Sequence, residues 1–179
     1  MLKINEKEEL MAVMTEAAVT AGKSIMEIYE SGLLYLKCKS DNSPVTAADL
    51  SSSEIIFSSL KKGYPNFSVM CEEIEDAIGA DGLPERLSNK FCFIVDPLDS
   101  TRSFINHSSD FAVSIALSEN HENIAGVIYA PSDGTLYYAY KNFGAYKLDK
   151  VVNSSKINYF AGKSLKCSER EDNLIAVTS

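Results

Sequence analysis

Apolar residues near the N-terminus recur with the spacing of an amphipathic helix. Over Glu6–Glu30 they return every three or four residues, which keeps them on one stripe of a helix. A second helix is predicted over Ala47–Lys62, since Thr46 and Asp49 have the spacing of a capping box and Gly63-Tyr64-Pro65 is a stop signal. The pattern therefore predicts two long helices, with Asp49 in the first turn of the second.

Short runs of β-branched and aromatic residues follow the second helix. Pro131–Gly134 and Asn142–Gly144 have the turn chemistry of short connections, so the neighbouring strands should be antiparallel. The acidic stretch Glu75–Glu85 is typical of a surface loop. We therefore expect an α+β fold in which two long helices pack on a largely antiparallel sheet. The predicted strands are Phe67–Cys71, Phe91–Asp96, Phe111–Ser118, Ile124–Ala130, Thr135–Tyr140 and Ala145–Leu148.

The composition restricts the classes of partner. A net charge of −8 opposes binding to a nucleic acid polymer, but an acidic protein can bind a small anion when metal cations lie between its carboxylates and the ligand. No segment has the ~18 apolar residues of a membrane helix and the N-terminus lacks a secretory signal pattern, so we expect a cytoplasmic protein. The four cysteines and two histidines lack ligand-like spacing, which argues against a zinc site.

The densest chemical signal lies where an apolar strand runs into Asp96-Pro97-Leu98-Asp99. Pro97 stiffens the turn, so Asp96, the Leu98 carbonyl and Asp99 could converge as hard oxygen ligands for Mg²⁺. Two hydroxyl residues follow at a predicted helix N-terminus, where free N–H groups favour a phosphate. Taken alone, however, Asp-Pro-x-Asp is more often a capped turn than a metal site.

Two further acidic elements precede this strand. Glu72-Glu73 follow the predicted strand that ends at Cys71, and their adjacent carboxylates repel each other. A cation would relieve that repulsion, but so would a solvated acidic loop. The polar loop Lys39–Asp49 delivers Asp49 to a helix start, where it could be only a cap.

Together the three elements resemble the lithium-sensitive, Mg²⁺-dependent phosphatase superfamily that includes inositol monophosphatase, fructose-1,6-bisphosphatase and 3′(2′),5′-bisphosphate nucleotidase. In that family an Asp in a Val-Thr-x-x-Asp loop is followed by Glu-Glu and then by Asp-Pro-[Ile/Leu]-Asp-[Gly/Ser/Ala]-Thr. Here these are Asp49, Glu72-Glu73 and Asp96–Thr101. The resemblance implies the layered α/β sandwich of that superfamily and a phosphomonoesterase activity.

The resemblance also implies a site with two or three Mg²⁺ ions. Glu72, Asp96 and the Leu98 carbonyl would hold one ion. Asp96 would bridge to a second ion bound by Asp99, and Glu73 would be a nearby or third-metal carboxylate.

The roles of the remaining site residues follow from the same resemblance. Asp49 and Thr101 would orient the attacking water, and the amides of Ser100 and Thr101 would cradle the phosphate. The cation of Arg102 could meet a second phosphate, although it could equally be a solvated surface residue.

The flanking sequences look most like the bacterial bisphosphate nucleotidase branch. These segments are Asp41–Leu50, Val95–Ile105, Asp110–Leu117 and Gly126–Pro131. The expected substrate is therefore a small anionic nucleotide, adenosine 3′,5′-bisphosphate or 3′-phosphoadenylyl sulfate, used in sulfur assimilation. The alternative within enzymes is an inositol phosphate phosphatase, and a homo-oligomer is compatible with either.

The resemblance covers only the first part of the family's length. The family's Trp-Asp motif is absent, and the sequence contains no Trp. We expect residues 1–170 to form the metal-binding α+β domain and residues 171–179, with a strand at Leu174–Val177, to begin a C-terminal α/β half that is missing. A non-catalytic metal- or anion-binding module is therefore an alternative of another class.

Overall fold

The computed structural model of the chain shows long helices packed against one face of a mixed sheet. It describes residues 4–32, 36–38, 44–73, 88–151 and 162–166. Within them the helices are α1 (Ile4–Ser31), α2 (Ala47–Gly63) and α3 (Thr101–Ile105). The strands there are β1 (Leu36–Cys38), β2 (Pro44–Thr46), β3 (Ser68–Cys71), β4 (Phe91–Asp99), β5 (Ala112–Glu119), β6 (Glu122–Ala130), β7 (Thr135–Tyr140), β8 (Gly144–Leu148) and β9 (Lys163–Leu165).

Seven strands form one sheet in the order β3-β4-β5-β6-β7-β8-β9. From β4 to β9 every neighbouring pair is antiparallel. These pairs include β6–β7 and β7–β8, for which the turn residues predict this arrangement. The exception is β3, which lies parallel to β4 at the sheet edge. The α+β class and the largely antiparallel sheet are therefore confirmed.

The two long helices form a layer on this sheet and are also packed on each other. α1 crosses β5 and β6, while α2 lies over β3 and β4. The core between the layers contains fully buried Leu10, Met14 and Ile25 of α1 and Leu60 of α2. At Gly22 a Cβ would lie 2.4 Å from the Tyr129 ring of β6, so only glycine allows α1 to approach the sheet this closely.

Several short elements differ from the sequence prediction. The loop predicted over Lys39–Asp49 contains β2, which pairs with β1 as a small antiparallel hairpin. Strand β9 was not predicted either, because three residues are too few to establish an alternation. β4 continues through Pro97 to Asp99, beyond its predicted end at Asp96, because a bulge accommodates the proline.

Some predictions fall outside the described residues. These are the surface loop Glu75–Glu85, the strand Leu174–Val177 and the domain boundary after residue 170. Among the described residues no helix is long and apolar enough to cross a bilayer. Cys71 and Cys92 are both buried.

Candidate functional site

The capping box at the start of α2 fixes the first candidate carboxylate. Thr46 Oγ1 accepts hydrogen bonds from the amides of Ala48 and Asp49, and Asp49 Oδ2 accepts from the Thr46 amide at 2.7 Å and the Thr46 hydroxyl at 2.6 Å. Asp49 is 1% exposed. One oxygen of this buried carboxylate is thus used by the helix cap, which confirms the capping box predicted from the sequence.

The other oxygen of Asp49 contacts a residue 52 positions further along the chain. The Thr101 hydroxyl lies 3.0 Å from Asp49 Oδ1 and 3.1 Å from the Leu98 carbonyl oxygen, and its one proton can be donated to either. The structure therefore brings Asp49 and Thr101 together, which the expected joint role in orienting a water requires. Because Asp49 Oδ2 already accepts two hydrogen bonds and Oδ1 faces the Thr101 hydroxyl, this carboxylate is suited to hold a proton donor.

A β-bulge at the end of β4 orients the two aspartates of the Asp-Pro-Leu-Asp motif. Asp96 lies opposite Ser114 of β5, and Asp99 lies opposite Ala112, so three steps on β4 match two on β5. Ser114 and Ala112 share a face, since side chains alternate along a strand. Asp96 and Asp99 therefore share that face too, although in a regular strand their odd spacing would put them on opposite faces.

The parallel pairing of β3 with β4 brings a further carboxylate to this sheet edge. Cys71, the last residue of β3, lies opposite Val95, so Glu72 follows beside Asp96. Glu72 is exposed and Glu73 is half-buried. The structure thus places Glu72 near the aspartates of β4, while Glu73 follows one residue further along the chain.

The electrostatics of this edge centre on Asp96. Burial is the largest of the causes that raise the pKa of its carboxyl to about 7, and the negative charges of Glu72, Asp99 and Asp49 contribute to the same rise, in that order of size. The Leu98 amide, 3.3 Å from Asp96 Oδ1, acts in the opposite direction. Asp96 therefore lies within a concentration of negative charge that a cation would relieve.

The residues expected to bind phosphate begin α3. Ser100 is its N-cap residue and has φ 68°, in the left-handed region that non-glycine residues rarely adopt. Phe104 of α3 is fully buried against the rings of Tyr29 and Phe111, which fixes the helix on the core. Arg102 is exposed, which is compatible with contact to a second phosphate and with a solvated surface residue.

Sequence reasoning did not identify a serine that connects α2 to the end of β4, where Asp96 and Asp99 lie. Ser52, one turn after Asp49, is fully buried, and its hydroxyl donates to the Pro97 carbonyl at 2.7 Å. The next residue, Ser53, lies with its Oγ 3.1 Å from Cys71 Sγ at the end of β3. The available signal was the pair of small polar residues on the buried face of a helix, where alanine would ordinarily be favoured.

The donor set suits a hard divalent cation. Carboxylates and a backbone carbonyl are the ligands that Mg²⁺ and Ca²⁺ prefer, and the raised pKa of Asp96 reflects its burial first and the neighbouring negative charges second. Within the described residues, no three Asp, Glu, His or Cys side chains already lie together as an ion cage. These residues therefore suit a divalent cation by their negative charge and by the type of their donor atoms.

Comparisons with known proteins identify relatives of this chain. A curated protein of Aggregatibacter actinomycetemcomitans, the 3′(2′),5′-bisphosphate nucleotidase CysQ, is 36% identical over 138 residues, which are 77% of this chain and 49% of that protein. An inositol-1-monophosphatase of Mesorhizobium japonicum is 34% identical over 80% of this chain and 52% of its own length. The chain thus spans about half the length of the curated relatives it matches.

The solved structures and the family model lead to the same group. The crystal structure of CysQ from Bacteroides thetaiotaomicron, a bacterial member of the inositol monophosphatase family, superposes with a TM-score of 0.70 at 32% identity and covers 89% of this chain and 58% of that one. The model of the inositol monophosphatase family matches residues 6–177. The chain therefore belongs to the inositol monophosphatase family.

Proposed function

We propose that the complete protein is a Mg²⁺-dependent phosphomonoesterase that removes the 3′-phosphate of adenosine 3′,5′-bisphosphate, or of 3′-phosphoadenylyl sulfate. The observation that carries the proposal is the concentration of carboxylates around Asp96 beside the hydrogen-bonded pair of Asp49 and Thr101. The products are inorganic phosphate and AMP or adenylyl sulfate.

The inositol monophosphatase family uses divalent metal ions. In this chain Glu72, Asp96 and the Leu98 carbonyl would hold one Mg²⁺, and Asp96 and Asp99 would share a second. Glu73 lies next in sequence to Glu72, where it could support a ligand or a third ion. When bound, such ions neutralise phosphate oxygens and lower the pKa of the attacking water.

Thr101 would orient that water through its hydroxyl. Asp49 Oδ1 lies in position to accept the Thr101 proton, which leaves lone pairs on Thr101 Oγ1 free to accept a proton of water. Burial of Asp49 and the three hydrogen bonds on its oxygens hold this acceptor in one orientation. Ser100 and Thr101 amides would bind the phosphate that is attacked.

The nucleotide is preferred as substrate for two reasons. Arg102 follows Thr101 directly and is exposed, so its guanidinium is available to a second phosphate, which inositol monophosphate lacks. The relative from A. actinomycetemcomitans carries the name of a bisphosphate nucleotidase. The relative named inositol-1-monophosphatase, at 34% identity, keeps an inositol phosphate as the second candidate substrate.

The test is phosphate release by the complete protein as its gene encodes it. Adenosine 3′,5′-bisphosphate, 3′-phosphoadenylyl sulfate and inositol 1-phosphate are compared at equal concentration, with Mg²⁺ and with EDTA. We expect Mg²⁺-dependent release that is fastest from a nucleotide. Faster release from inositol 1-phosphate would replace the nucleotide, and cation binding without release from any ester would identify a non-catalytic binding module.

A cytoplasmic location and a homo-oligomeric state remain predictions of the sequence. Both accord with a reaction on a small metabolite, and both are tested on the complete protein, by fractionation and by light scattering. We expect no nucleic acid polymer as partner, because the net charge of −8 repels a phosphate backbone.

A further inference from the structure

Two adjacent serines of α2 have contacts that an interior helical serine does not ordinarily make. A serine inside a helix commonly bonds to a carbonyl one turn back in the same helix. Ser52 donates instead to the Pro97 carbonyl of β4, and Ser53 contacts the Cys71 thiol of β3. Ser52 is fully buried and Ser53 is 5% exposed, so both hydroxyls lie in the interface between helix and sheet.

The Pro97 carbonyl belongs to the bulge that orients the two aspartates. The β4–β5 ladder shifts register between Asp96 and Asp99, so the regular pattern of pairing is interrupted here. A buried carbonyl that is left without a donor is costly, and the Ser52 hydroxyl supplies one at 2.7 Å. The helix therefore holds the bulge at the Pro97–Leu98 peptide.

The same helix also carries Asp49, one turn before Ser52. The Thr101 hydroxyl lies within hydrogen-bond distance of Asp49 Oδ1 and of the Leu98 carbonyl and can donate its one proton to either, so Asp49 lies beside the end of β4 that Ser52 holds. Ser53 adds a weaker contact to the end of β3, directly before Glu72. Contacts with α2 therefore help to fix the positions of Glu72, Asp96 and Asp99.

We propose that Ser52 is a positioning residue that sets the distance of Asp96, Asp99 and the Leu98 carbonyl from Asp49, with Ser53 supporting the Glu72 end in the same way. The inference rests on the proposed function, because it assumes that these oxygens bind divalent cations. Neither serine touches a cation or the substrate. Each acts through the backbone or thiol that it contacts.

The experiment compares Ser52→Ala with Ser58→Ala, which removes the same hydroxyl from an exposed position of α2. Calorimetry on the complete protein measures Mg²⁺ affinity without substrate. Losing one buried hydrogen bond should weaken Mg²⁺ binding by about three- to tenfold in Ser52→Ala and not in Ser58→Ala. The sulfhydryl of Ser52→Cys is a weaker donor, so its affinity should be intermediate.

Two further readouts separate positioning from simple stability. In the metal-free protein, amide hydrogen exchange of residues 96–101 should accelerate in Ser52→Ala while exchange within α1 stays unchanged. Raising Mg²⁺ should restore most of the phosphate release, since the ligands themselves are retained. Ser53→Ala should weaken Mg²⁺ binding in the same direction but less than Ser52→Ala, because sulfur is a poor hydrogen-bond partner.

The outcomes for this inference and for the proposed function are distinct. Equal Mg²⁺ affinity in Ser52→Ala and Ser58→Ala would overturn the positioning role, even if Ser52→Ala melts at a lower temperature. A wild-type protein that binds no divalent cation would overturn it as well. Weaker Mg²⁺ binding by Ser52→Ala, in a protein that hydrolyses none of the three esters, would support the positioning role and reject the phosphatase.

Discussion

Two aspartates of the site have the same chemistry and opposite environments. Asp49 is almost fully buried, yet its oxygens accept hydrogen bonds from the Thr46 amide and two hydroxyls. Asp96 is less buried, and its pKa is raised to about 7 by burial first and by neighbouring carboxylates second. A satisfied carboxylate is suited to orient a neighbour, whereas a repelled one is suited to bind a cation. The environments therefore assign the roles more firmly than the residue type does.

The first prediction is that Asp96→Asn abolishes metal-dependent hydrolysis in the complete protein. The change removes the charge that both cations would share while keeping the shape of the side chain, and should lower kcat/KM by about a thousandfold or more. The fold should survive, since the substitution also removes a repulsion. Initial rates of phosphate release across a Mg²⁺ titration measure the effect.

Asp149→Asn is the matched control. It removes the same charge as Asp96→Asn, but from a surface residue that pairs with Lys147. It should leave kcat/KM within about twofold of the wild type. Near-native turnover of Asp96→Asn at low Mg²⁺ would exclude the Asp-Pro-Leu-Asp motif as the metal site.

The second prediction concerns the stability of the metal-free protein. Asp96 has an ordinary pKa of 3.8 when unfolded and about 7 when folded, so between these values the folded state binds more protons. The free energy of unfolding should therefore fall as pH rises through this window, and the Asp96 contribution should be complete only below it. Urea unfolding in EDTA at a series of pH values measures the decline.

Asp96→Asn provides the reference for this measurement, because it lacks the titrating group and retains the other carboxylates. The difference between the two profiles isolates Asp96 from the rest of the acidic surface. Parallel profiles would show that Asp96 titrates in its ordinary range, and that its carboxyl is neither as buried nor as close to like charges as the structure has it.

How much of the site could be predicted depends on the kind of contact. The carboxylates and Thr101 could be predicted because their order along the chain matches a family motif. Ser52 could not, because its partner is a backbone carbonyl 45 positions away and carries no sequence signature. The bulge at Pro97 was missed for a related reason, since the register of β4 against β5 depends on pairing between distant strands.

At the scale of elements, length decided what the sequence could predict. The 28 residues of α1 repeat their apolar spacing over many turns, and the strands of the antiparallel meander alternate long enough to be recognised. The three-residue strands β1, β2 and β9 offer too few positions for any period. No local pattern in the sequence indicates the parallel pairing of β3 with β4.

The third prediction is that Gly22→Ala destabilises the protein, although alanine is the better helix former by about 1 kcal/mol. The new methyl would lie 2.4 Å from the Tyr129 ring, and that ring is 3% exposed with its hydroxyl bonded to the Val151 carbonyl. Overpacking of this kind costs about 1–3 kcal/mol. Denaturant unfolding gives the change in free energy.

Thr20→Ala is the control for this substitution, because Thr20 is exposed on the same helix and the change also improves helix propensity. It should be neutral or slightly stabilising. A gain in stability from Gly22→Ala equal to that of Thr20→Ala would show that α1 does not depend on the close approach to β6.

At the scale of the whole molecule, α2 and the sheet edge formed by β3 and β4 carry the candidate carboxylates. α2 contributes Asp49, and the ends of β3 and β4 contribute Glu72, Asp96 and Asp99. α3 then begins directly after the last of these residues. The order of the motifs along the chain is therefore the order in which neighbouring elements reach one edge, which is why three individually weak motifs are informative together.

The last prediction is that the 179 residues alone bind Mg²⁺ weakly and release little phosphate. They span about half the length of the matched relatives, and the family's Trp-Asp motif, which the resemblance implies as a further ligand to the second ion, is absent from this sequence. Mg²⁺ needs well-placed carboxylates to compensate for the waters it gives up, so one lost ligand should lower occupancy and transition-state stabilisation together.

Steady-state assays compare the chain with full-length CysQ of A. actinomycetemcomitans on adenosine 3′,5′-bisphosphate, and with that relative cut to the matching half. We expect kcat/KM of both short chains to be lower than that of the full-length relative by more than ~10-fold. Turnover by the 179 residues within that margin would show that the carboxylates of α2, β3 and β4 form a sufficient site by themselves.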